Sequence, residues 1–108
     1  MKVLPKPPKT LSRPAKKLWR DLQTEYAIDD PAGLDLLTDY ARFYDRREQA
    51  RATIVTEGAT IKDRFGQTVA HPSVRIERDS SAAMTRILKQ LNLDIEPLRD
   101  KAGRPPGR

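Results

Sequence analysis

One uninterrupted helical pattern runs from Pro31 to Thr56 and limits every fold open to this chain. Asp30 can cap the exposed amides at its start, and Pro31 suits the first helical position. Leu34, Leu37, Ala41, Tyr44 and Val55 recur as a buried stripe at helical spacing. Acids crowd the front (Asp29, Asp30, Asp35, Asp39) and arginines the back (Arg42, Arg46, Arg47, Arg51), an order that complements the helix dipole. Gly58 is suited to the C′ position that ends the helix. A helix of roughly 26 residues spans about 39 Å. One short neighbour cannot cover that length, so other subunits are expected to cover the rest.

The 108 residues suffice for one small domain. A domain of that size buries a modest share of its surface, and oligomerisation is an expected source of further stability. There is no cysteine, which removes disulfides and thiolate metal sites. No apolar run approaches the length of a membrane span. The N-terminal "MKVLPKPPKT" is basic but lacks the apolar stretch of a secretory signal. These features lead to the expectation of a soluble protein with no membrane partner.

The formal net charge of +6 is concentrated at the two ends of the chain. Residues 1–20 hold seven basic groups and no acid, and residues 97–108 hold four basic groups against Asp100. The middle, 21–96, has ten basic and fourteen acidic residues. This is the pattern of basic arms attached to a slightly acidic core.

Residues 1–10 are rich in proline and lysine and read as a flexible basic arm. Residues 11–99 form the helical domain. Ser12 is suited to capping a first helix over Arg13–Ala27, with Ala15, Leu18, Trp19, Leu22 and Tyr26 on one face. After Gly58, "ATIK" and "QTVA" are strand-like and flank the turn-forming "DRFG", which predicts a hairpin over 59–70. An isolated hairpin is marginally stable, so it is expected to pack on a helix or a neighbouring subunit. Pro72 and Ser73 open a third helix whose Ile76, Ala83, Ile87, Leu88 and Leu91 share a face. Asn92 can end it in the left-handed conformation. "DIEPLR" is compatible with one further turn, and 100–108 has the composition of a disordered basic tail. The fold class is therefore mainly α, with three principal helices, one β-hairpin between the second and third, and flexible basic termini.

Catalytic chemistry finds little footing. His71 is the one histidine, and neither a cysteine nor a G-x-S-x-G serine accompanies it. It is read as ending a strand and packing on, or capping, the helix that starts at Pro72. The acids Asp29, Asp30, Asp35 and Asp39 would suit a magnesium-dependent nuclease. Capping and dipole compensation account for them without a metal. No phosphate-binding glycine loop is present, so no nucleotide cofactor is expected.

Four features occur in a specific order: a proline-rich lead into "AKKLWRDL", then "GLDLLTDYARFYDRREQA", the glycine-bounded "EGATIKDRFGQTVAHP", and a closing "ILKQLNLDIEPLR". In that order, over about residues 5–99, the chain resembles the phage terminase small subunit, and within it the P27-like family. His71 stands where that family usually has Asn, and Asn92 where it usually has Gly. The resemblance implies a non-catalytic DNA-packaging protein of the host bacterial cytoplasm, encoded by a phage or prophage. It implies a homo-oligomeric ring that binds double-stranded viral DNA. It also implies regulation of the large terminase subunit, which carries the ATPase and nuclease.

On that reading Lys2, Lys6, Lys9, Arg13, Lys16, Lys17 and Arg20 are the expected DNA-binding groups, with Arg104 and Arg108 assisting from the tail. The C-terminal segment is equally open to docking the large subunit. Arg42, Arg46, Arg47 and Arg51 cannot all pair with Asp39, Asp45 and Glu48 at helical spacing. They are assigned to an oligomer interface or a ring channel, with pairing within or between subunits preferred. Trp19, Tyr40, Phe43 and Tyr44 are read as packing residues. Two alternatives remain: a helix-turn-helix transcriptional regulator built on the first two helices, and a nuclease built on the acids.

Overall fold

The computed structural model describes residues 5–93. Three helices, α1 (Arg13–Glu25), α2 (Pro31–Glu57) and α3 (Pro72–Gln90), carry an antiparallel hairpin between the second and third. Its strands are β1 (Thr60–Lys62) and β2 (Thr68–Ala70), with Ile61 opposite Val69. This is the expected fold class. The C-terminal helical turn and tail read from the sequence lie outside the described residues.

Each helix starts where a side chain satisfies a free amide. Ser12 Oγ accepts from Ala15 N at 3.1 Å, Asp30 from Gly33 N at 2.8 Å, and His71 Nδ1 from Ser73 N at 3.0 Å. Proline follows in the first turn of all three, where its missing N–H leaves no helical bond unmade.

The helix ends are equally local. α3 closes in a Schellman motif: Asn92 has φ 63°, its N–H meets Lys89 O at 3.0 Å, and Leu93 N meets Leu88 O at 2.7 Å. The left-handed Asn92 is as expected. α1 ends at Glu25 rather than Ala27, because Ala27 takes φ 51° and Ile28 N turns back to Gln23 O at 3.1 Å. Gln23 Nε2 then donates to Ile28 O at 2.9 Å and braces the turn. α2 runs one residue past its expected end, to Glu57, and Gly58 caps it with φ 91°.

α1 lies antiparallel on the first half of α2. Ser12, before α1, bonds Asp45, while Trp19 Nε1 donates to Thr38 Oγ1 at 3.2 Å farther down. Leu11, Ala15, Trp19, Ile28, Leu37 and Ala41 form the core there, and Leu91 and Leu93 pack against it from the end of α3. The second half of α2 packs with α3, where Ala50, Ser73, Ser80, Ala83, Met84 and Ile87 are buried. Small residues in that set let the two helices approach closely.

Val55 departs from the expected stripe. It follows Ala41 by fourteen residues, close to four turns, and so shares its face. Yet it is 86% exposed. α1 covers that face only as far as Asp45, and α3 lies on the other side, against Ala50. Periodicity identified the face but not the reach of the neighbour. The hairpin differs too from the option of packing on a helix of its own chain: all six strand residues are exposed.

Candidate nucleic-acid interface

The basic surface is built on a segment that is anchored before the first helix begins. Pro7 and Leu11 are buried, and Leu11 N bonds Pro8 O. Ser12 then donates to Asp45 through both its amide, at 2.9 Å, and its hydroxyl. Lys6 and Lys9 point out from this anchored stretch and are exposed.

α1 continues the surface. With Ala15 and Trp19 inward, helical spacing leaves Arg13, Lys17 and Arg20 exposed and Lys16 half-buried. Lys17 pairs with Asp21 at 2.8 Å. Among the described residues, Lys6, Lys9, Arg13, Lys16 and Arg20 have no ion-pair partner. Five uncompensated cations along an anchored arm and one helix form a field suited to a polyanion. Lys2, Arg104 and Arg108 lie outside the described residues.

The four α2 arginines separate into two kinds. Arg42 pairs with Asp39 at 3.7 Å, Arg47 with Glu48 at 3.0 Å, and Arg51 with Glu48 at 3.1 Å. Arg47 also lies over the Tyr44 ring, 5.2 Å from its centroid. Arg51 reaches across to α3, with Nε 2.6 Å from Glu77 Oε2, and that hydrogen bond holds its guanidinium above the ordinary range. Arg46 alone of the four is unpaired among the described residues. It borders a shallow groove shared with Ala50, Thr53, Ser73 and Ile76. Asp45, expected as an arginine partner, is instead taken by Ser12.

The aromatics behave as packing residues. Trp19 is buried and Tyr40, Phe43 and Tyr44 are half-buried. Burial pushes the Tyr40 phenol up, and the nearby Arg47 charge offsets part of that rise.

The acids of α2 do not converge. Asp30 caps the helix, Asp39 faces Arg42, and Asp35 stands exposed. Among the described residues, no three carboxylate or imidazole groups are grouped to hold a metal ion. His71 is used at both ring nitrogens: Nδ1 caps α3 and Nε2 lies 2.8 Å from Glu57 Oε1. It therefore has the capping role read from its place before Pro72. No described helix is long and apolar enough to cross a membrane.

The sequence did not disclose the Ser12–Asp45 link or the burial of Pro7 and Ile28. The first joins residues 33 positions apart, and polar pairing at such a distance leaves no periodic signal.

A small helical protein with unpaired cations along its anchored N-terminal segment and α1, and with a hairpin of exposed strands, is the class this arrangement defines. The family model described as phage terminase, small subunit, matches residues 15–101, and the chain belongs to that family. The match is to the phage terminase small subunit in general. No curated protein and no solved structure matches the chain.

Proposed function

We propose that this chain is a non-catalytic DNA-packaging subunit. It assembles into a homo-oligomeric ring, binds double-stranded viral DNA, and regulates the large terminase subunit in the host cytoplasm. Family membership supports the packaging role. The observation that carries the DNA contact is the row of uncompensated cations from Lys6 through Arg20 on the arm and α1. Lys17 stands within it, and Lys2, Arg104 and Arg108 are further contacts to the phosphates. Arg42, Arg47 and Arg51 hold α2 and its packing with α3 in register, whereas Arg46 is left for the channel or for an acid on a neighbouring copy.

Phosphate contacts release counterions, so affinity falls with salt by about 0.9 in log–log slope per contact. Titration of duplex DNA by fluorescence anisotropy at several salt concentrations reads this slope. Replacing Lys6, Lys9 and Arg13 together by Gln should flatten it by about 2 to 3. An unchanged slope would remove the arm from the interface.

A further inference from the structure

α3 buries one face and carries charge of nearly one sign on the opposite face. Ser73, Ser80, Ala83, Met84 and Ile87 are the buried residues. Arg75, Arg78, Ala82, Arg86 and Lys89 follow one another at intervals of three or four residues, so they share the outer face, and all five are exposed. The helix holds two acids, Glu77 and Asp79. Glu77 is engaged from α2 by Arg51, 2.6 Å away. Asp79 is shared by Arg75 and Arg78, at 3.9 Å from each. Among the described residues, Arg86 and Lys89 have no ion-pair partner.

Folding does not require these cations. The positive end of the helix dipole lies at the start of α3, where acids are favoured and cations are not. Arg75 is nevertheless the fourth residue of the helix, Arg78 lies about one turn on, and the first turn contains no acid. Lys89, in the last turn, does complement the dipole. A surface that serves solubility alone intersperses both signs.

Spacing selects the occupant. Arg75 and Arg78 form one pair, and Arg86 and Lys89 form another eleven residues on. That is about 16 Å along the axis. Each pair can then meet one of the two phosphate backbones that border a major groove about 12 Å wide. Ala82 stands between the pairs and is small enough to let the helix come close.

This face does not extend the α1 surface. Ala41 packs in the α1 core, whereas Ala50 lies beside Ser73 and Ile76 of α3. The two alanines are nine residues apart, two and a half turns, and so project to opposite sides of α2. α1 and α3 therefore flank α2, and their outer faces look away from each other. A straight duplex lying on one cannot reach the other.

We propose that the outer face of α3 is a second duplex-binding surface, formed by Arg75, Arg78, Arg86 and Lys89, so that one copy grips two segments of DNA. The inference rests on the reading that the chain binds duplex DNA.

Full-length protein with these four residues replaced by Gln is compared with wild type and with the Lys6, Lys9 and Arg13 variant, and thermal melts confirm that each is folded. One readout is the salt slope of duplex binding by anisotropy. The other is capture of a labelled duplex by protein held on beads that carry an unlabelled one. The α3 variant should lower the slope by about 3, since Asp79 already offsets one of the four charges. It should still bind a duplex but capture the second at least tenfold less. The arm variant should keep the part of the slope that α3 supplies. An unchanged slope in the α3 variant overturns the second surface while the arm reading stands. Capture that is missing in wild type, or intact in the α3 variant, overturns the two-segment grip. Wild type that binds no duplex overturns the DNA reading itself. An unchanged slope with lost binding to purified large subunit overturns the DNA contact and gives this face to that partner.

Discussion

Nε2 of His71 lies 2.8 Å from Oε1 of Glu57, tying the last residue of α2 to the residue that caps α3. The fourteen-residue excursion of the hairpin thus begins and ends at one polar link. Because Ser73 N–H can only donate, Nδ1 is the acceptor, and in the neutral ring Nε2 carries the proton that faces Glu57. Asn can accept the same amide. His71→Asn should therefore melt close to wild type, while His71→Ala should lose about 1 kcal/mol. Thermal unfolding followed by circular dichroism separates the two, and equal losses in both variants would dismiss the cap.

Ala27 occupies a left-handed conformation that its Cβ disfavours, at φ 51°. Ala27→Gly should relieve that strain and stabilise the fold by about 1 kcal/mol, less the extra freedom gained by the unfolded chain. The melting temperature should rise. A fall would mean that the turn after α1 is not held as described.

Gly33 is the opposite case. A Cβ there would stand 2.7 Å from Asp30 Oδ1 and 2.9 Å from the buried Ile28 Cγ2. Alanine is the better helix former by about 1 kcal/mol, but loss of the Asp30 cap and displacement of Ile28 outweigh it. Gly33→Ala should destabilise by about 1 kcal/mol net, read in a chemical denaturation curve.

Lys17 and Arg20 are both exposed on α1, yet only Lys17 has a partner, Asp21. Its charge is locally compensated. Arg20→Gln should lower the salt slope of DNA binding by about 0.9, and Lys17→Gln by less. Equal effects would show that the pairing with Asp21 gives way on DNA.

The parts of the fold legible in the sequence were those fixed by neighbours in the chain. Asp30 and Pro31, Gly58, Pro72 and Asn92 act within a few residues, and each marked its boundary correctly. Ala27 misled because alanine is a good helix former, whereas here it takes the left-handed conformation that turns the chain to the buried Ile28. Val55 misled because a stripe reports which face is apolar, not where the covering helix ends. For the candidate site, exposure of Lys17 and Arg20 followed from the helical spacing around Trp19. The sorting of the arginines did not, since Arg51 meets Glu77, 26 residues away on another helix.

Sedimentation of the full chain with a duplex DNA bears on assembly and binding together. The proposed function predicts a species of more than two copies that carries the duplex at low salt and releases it as salt rises. A monomer or dimer at all concentrations, or a multimer that leaves the duplex free at low salt, would contradict it.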